Sequence, residues 1–199
     1  MSVTTTEELD RRDLVRLADG ETRALDDLMA RHGRAILHFL IRMLGDESMA
    51  EDLAQETFVR VYLHRRRFDP RRKPMTWLYT IAANLARDRL RWLARHPQLP
   101  LEAGALPSGQ PLQDALPCPD PDPSAQLDSR ERVDAIRQAV AALPEDLRLP
   151  LVLSTYEHRS QAEVAEVLGC SIKAVEMRVY RARQQLRAAL APLLPNLAA

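Results

Sequence analysis

Cysteine is scarce in this chain of 199 residues, and the two present, Cys118 and Cys170, stand far apart. They form neither a metal-ligand spacing nor a disulfide framework, so a reduced, cytoplasmic setting is expected, without metal or other cofactor. Aromatic residues make up only 5% and glycines number six, and no stretch sustains the alternation of a half-buried strand. No apolar run approaches the roughly 18 residues of a membrane span, which excludes membrane insertion. The acidic, threonine-rich start has neither the cations nor the apolar segment of a signal peptide. Catalytic signatures are missing as well. The five histidines, His32, His38, His64, His96 and His158, are scattered, and no nucleophile, metal or phosphate-loop spacing accompanies them, so an enzyme is disfavoured.

What the chain does have is helical periodicity. Apolar residues recur at steps of three and four through Leu25, Met29, Ile36, Leu40 and Met43, and again through Val133, Ile136, Val140 and Leu143. The expected fold is all-α. A helix is predicted over residues 22–44, stopped at Gly45, and a second over 46–64 that buries Ala50, Ala54, Phe58 and Val61 and shows Glu51, Asp52, Gln55 and Glu56 on its other side. After a basic break at 65–74, a third helix over 76–95 carries Asn84, Arg87, Arg91 and Arg95 as one polar stripe opposite Leu78, Ile81 and Leu85. Further on, Pro144 opens a helix with Glu145 and Asp146 in its first turn, and Pro150 predicts a kink or a later start.

A net charge of zero conceals segregation. Residues 1–29 carry a net −4, 30–97 a net +7, 98–147 a net −6 and 148–199 a net +3. Phosphate binding depends on local cation density, so two basic blocks suggest two nucleic-acid-facing domains. Eight of the 14 prolines fall between Pro97 and Pro123. The chain therefore divides into a helical domain over 1–96, an extended, proline-rich acidic linker over 97–128, and a second small helical domain over 129–199.

The second domain contains SQAEVAEVLGCSIKAVEMRVYRAR at 160–183. Ser160 and Glu163 fit a capping box, Gly169 stops the first short helix, and Ser171 can cap the second. In that second helix Ile172, Val175, Val179, Ala182 and Leu186 face a core. The outward face is left to Lys173, Glu176, Met177, Tyr180, Arg181 and Gln184. A helix held on its apolar side with its polar N-terminal side outward is the geometry of a helix-turn-helix reader of the major groove.

Together with AEDLAQETFVRVY at 50–62, TWLYTIAANLARDRLR at 76–91 and ALPEDLRLPLVL at 142–153, this segment resembles a bacterial RNA polymerase sigma factor of the extracytoplasmic-function group. That group retains only the second and fourth conserved regions of larger sigma factors. The resemblance implies a protein that binds core RNA polymerase, recognises promoter DNA and helps melt it without catalysing a reaction itself. It assigns Glu51, Asp52, Gln55 and Glu56 to polymerase docking. The basic break and third helix, with Arg71, Arg72, Lys73, Asn84, Arg87 and Arg91, go to the downstream (minus-ten) element, and Lys173, Glu176, Met177, Tyr180 and Arg181 to the upstream (minus-thirty-five) element. Trp77 suits either a core position or a base platform, the core reading being preferred.

The family also implies control by an anti-sigma factor. Departures from its usual pattern are Glu176 and Met177, where basic or small polar residues are commoner, His158, where glycine is frequent, and Ala83, where arginine is. A different class of protein, a self-contained regulator using 160–187 for duplex DNA and 22–95 for dimerisation or sensing, is the alternative. It gives the acidic helix and the Asn84 stripe no task.

Overall fold

The computed structural model describes residues 5–96 and 123–191. Among these residues are eight α-helices and one 3₁₀ turn, with no strand. The helices are α1 (Thr6–Ala18), α2 (Arg23–Leu44), α3 (Glu47–Leu63), α4 (Pro74–Arg95), α5 (Pro123–Ala142), α6 (Glu145–Thr155), α7 (Gln161–Leu168) and α8 (Ile172–Leu190). The 3₁₀ turn, Arg65–Arg67, joins α3 to the loop before α4.

Local signals explain most boundaries. Gly45 ends α2 at φ +74°, a conformation costly for any residue with a Cβ, and Asp46 then caps α3 by accepting the Met49 N–H at 2.7 Å. Pro74 sits at the start of α4, where its missing N–H costs nothing. Pro144 stands immediately before α6, while Pro150 lies buried inside that helix and leaves the Asp146 carbonyl without its usual partner. Between α7 and α8, Gly169 turns the chain at φ +63° and Ser171 caps α8.

Helix α1 has no counterpart in the sequence reading. A capping box starts it: Glu8 N–H donates to Thr5 Oγ1 and Thr5 N–H to the Glu8 carboxylate. Its inner face is half apolar, through Leu14 and Leu17, and half acidic, through Asp10 and Asp13, both about 1% exposed. Asp10 meets His32 at 2.8 Å and Arg31 at 3.0 Å; Asp13 accepts from Arg31 at 2.5 Å and from Arg16 at 2.8 Å. Burial would raise the Asp13 carboxyl, but the two guanidiniums outweigh it and hold the group below the ordinary carboxylate range.

These partners also correct the α2 stripe. The buried line runs through Ala24, Leu28, His32, Ile36, Phe39, Leu40 and Met43, so Met29, one position off it, is 42% exposed. On α5, Val140 is buried but Val133 is 45% exposed. The linker range 97–128 lies outside the described residues up to 122. From there α5 already begins, Pro123 being tolerated in a first turn.

The N-terminal helices α1–α4 and C-terminal helices α5–α8 pack against each other. Helix α4 touches α6 and α7, and α2 touches α5 and α6. A single apolar cluster runs from Leu14 through Phe39, Leu78 and Ala83 to Leu149, Val164 and Val179. Phe39 stands edge-on to Tyr79, ring centroids 5.3 Å apart, and burying such large side chains stabilises by about 1.5–3 kcal/mol each.

Candidate nucleic-acid and polymerase interface

Helix α8 is fixed by Val175, Val179 and Ala182, all buried, and this leaves Lys173, Glu176, Met177, Tyr180 and Arg181 exposed together on the other side. Leu186 is half-buried. Ile172 departs from expectation. As the first helical residue its side chain leans toward the N-terminus, past the end of the packed stripe, and is 46% exposed. The capping box of α7 forms as read: Ser160 N–H and Oγ both donate to Glu163 Oε2, at 2.8 and 2.6 Å.

On the N-terminal half, Asn84 and Arg91 are exposed on α4, and Arg71 is exposed in the preceding loop. Asp69 shapes that loop, accepting the Arg71 N–H at 2.9 Å. Three other members of the expected downstream set are already engaged. Arg72 Nε lies 3.1 Å from Glu166 Oε1, Lys73 Nζ 3.3 Å from Glu163 Oε1, and Arg87 Nε 3.1 Å from Glu145 Oε1. All three carboxylates belong to the C-terminal half. Burial alone would raise the Glu163 carboxyl, but the Ser160 hydroxyl and N–H, with Lys73, bring it below its ordinary value. Trp77 is half-buried against Phe68, 5.3 Å between ring centres, which fits its core role.

The acidic side of α3 presents Glu51, Asp52 and Gln55 to solvent, with Glu56 half-buried and paired with Arg60 at 2.8 Å. Two residues overlooked in the sequence continue the same side. Val59 and Leu63 follow Asp52 and Glu56 at helical steps and are 49% and 63% exposed. The signal was present in that spacing, but apolar residues of a helix are ordinarily assigned to a core.

No group of His, Cys, Asp and Glu among the described residues could hold a metal, and no described helix is long and apolar enough to cross a membrane. His158 adopts φ +50°, which accounts for the frequency of glycine at that position in the resemblance. Ala83, where arginine is common, is fully buried.

The sequence pattern described as Sigma-70 region 2 matches residues 28–96, and that described as Sigma-70, region 4 matches residues 134–186. The chain belongs to the sigma-70 family. It is 33% identical to the RNA polymerase sigma-H factor of Pseudomonas aeruginosa over 193 residues, 95% of this chain and 97% of that one. Against the ECF RNA polymerase sigma factor SigW of Bacillus subtilis it is 34% identical over 175 residues, 87% and 92% of the two chains. Its fold is similar to that of CnrH solved in complex with the cytosolic domain of CnrY, with a TM-score of 0.67, 29% identity, and 92% and 98% of the two chains covered.

The sigma factor is thus of the extracytoplasmic-function group. It is not an enzyme. It binds core RNA polymerase and promoter DNA and directs promoter-specific initiation, and the alternative of a self-contained regulator falls with this assignment.

Proposed function

We propose that the three surfaces divide the work of initiation. The outward face of α8, Lys173, Glu176, Met177, Tyr180 and Arg181, reads the upstream promoter element. Arg71, Arg72, Lys73, Asn84, Arg87 and Arg91 bind and open the downstream element. Glu51, Asp52, Gln55 and Glu56 dock on polymerase, with Val59 and Leu63 extending that face. The observation carrying the reading is the exposure of all five α8 side chains on one side of a helix whose other side is buried.

The polymerase face combines carboxylates, which steer association, with exposed aliphatic area, which contributes affinity once water is excluded. Its action accordingly belongs in the cytoplasm with the polymerase. Control by an anti-sigma factor is supported by CnrH, which is bound by the cytosolic domain of CnrY. Run-off transcription with purified core polymerase tests the reading. Reversing charge at Glu51, Asp52 and Glu56 is expected to weaken core binding with an unchanged circular dichroism spectrum, and unaltered core affinity would remove this face from the interface.

A further inference from the structure

The outward side of α8 carries more apolar surface than phosphate binding needs. Ile172, Met177 and Tyr180 are 46%, 48% and 59% exposed, and Ile172 occupies the first helical position, at the end from which a groove-reading helix reaches base edges. Glu176 follows it by four residues and is exposed as well, so the aliphatic side chain and the carboxylate are neighbours on one strip, their Cβ atoms about 5–6 Å apart. Side chains of a helix lean toward its N-terminus, which carries Glu176 over the turn that begins at Ile172.

The fold does not ask for an aliphatic residue at this place. Ser171 already caps the helix by accepting the Ala174 N–H at 3.2 Å, and the buried Val175 and Val179 fix its rotation, so that hiding Ile172 would pull both out of the core. Among the described residues Glu176 takes no part in an ion pair, unlike Glu163 and Glu166 on α7. Met177 lies about 100° further round the helix, so a thymine methyl suited to its thioether belongs to a different base.

In the major groove cytosine presents its N4 amino group, a donor, beside a bare C5 edge, whereas thymine presents the O4 acceptor beside its C5 methyl. A carboxylate accepts from N4 and is repelled by O4. An aliphatic side chain gains from a methyl at C5 and little from a hydrogen. Of cytosine, thymine and 5-methylcytosine, only the last offers both the amino group and the methyl. We propose that Ile172 and Glu176 together read 5-methylcytosine in the upstream element, so that methylation of a promoter raises its occupancy by the holoenzyme.

The inference rests on the reading of α8 as the part that contacts the upstream element. It is tested with holoenzyme at fixed salt on duplexes of the mapped element in which each cytosine in turn is replaced by 5-methylcytosine or by thymine, and each thymine by deoxyuridine. At one cytosine the added methyl should tighten binding about fourfold, the value of one methyl-sized group taken out of water, and thymine there should bind more weakly than cytosine. Ile172→Ala should remove the methyl gain and keep the preference for cytosine over thymine. Glu176→Ala should keep the gain and lose the preference. Both side chains are exposed, so each variant should retain the wild-type circular dichroism spectrum.

Equal affinity for methylated and plain duplexes at every cytosine, or a methyl gain that survives Ile172→Ala, would overturn the proposal. A gain seen only for thymine over deoxyuridine, and lost in Ile172→Ala, would overturn it too and make Ile172 a thymine reader. If instead the Ile172, Glu176 and Arg181 variants all bind the duplexes as wild type does, the assignment of α8 itself fails and takes the proposal with it.

Discussion

The Tyr79 hydroxyl and the Glu157 carboxylate, joined at 2.6 Å, connect α4 of region 2 to the end of α6 in region 4. Burial, followed by the adjacent negative charge, pushes the Tyr79 hydroxyl well above the ordinary tyrosine range, so it remains a donor at every physiological pH.

Tyr79→Phe keeps the ring against Phe39 but leaves Glu157 with Arg42 as its hydrogen-bonded partner. The packing of the two halves should lose about 1–3 kcal/mol, the cost of an unmet buried acceptor. Hydrogen exchange of α6 and α7 amides measures this, and faster exchange there with α3 unchanged is the expected pattern.

Asp13 anchors α1 through Arg31 and Arg16. Because its folded pKa lies below the unfolded value, the stability it contributes is complete above the ordinary carboxylate range and is lost as pH falls through the folded value. Asp13→Asn should cost about 1.5–3 kcal/mol at pH 7. In denaturant titrations the gap between wild type and variant should narrow below about pH 4.

On α8, cations attract any phosphate, whereas a carboxylate can accept from cytosine N4 and a thioether can pack on a thymine methyl. Arg181→Ala should weaken holoenzyme binding to all upstream-element variants alike and lower the salt slope by about one. Glu176→Ala should reorder the variants, by about 1–3 kcal/mol at one base position. A binding series over single-base variants measures both; reordering by Arg181→Ala alone would reverse the roles.

Much of this architecture was legible because strong local signals mark it. Gly45, Gly169, Ser160 and Ser171 carry out in the structure the stops and caps read from their types. Helix α1 was not legible because half its inner face is Asp10 and Asp13, which hydropathy assigns to solvent; only their distant partners Arg31 and His32 make them core. Two of the ion pairs between the halves were hidden for another reason. Glu145 and Glu163 have complete local explanations, as a first-turn acid and a capping-box residue, and nothing along the chain announces that the same carboxylates also meet Arg87 and Lys73. Ile172 was misread where a correct apolar stripe runs past the end of its neighbours.

The division of labour turns on the downstream surface, and permanganate reactivity of promoter DNA with reconstituted holoenzyme tests it most directly. Wild-type protein with core polymerase should render start-site thymines reactive. Asn84→Ala and Arg87→Ala should retain core binding and upstream contact while reactivity falls about tenfold or more, a loss of about 1.4 kcal/mol or more in promoter opening. Normal melting by both variants, with wild-type core affinity, would contradict the account.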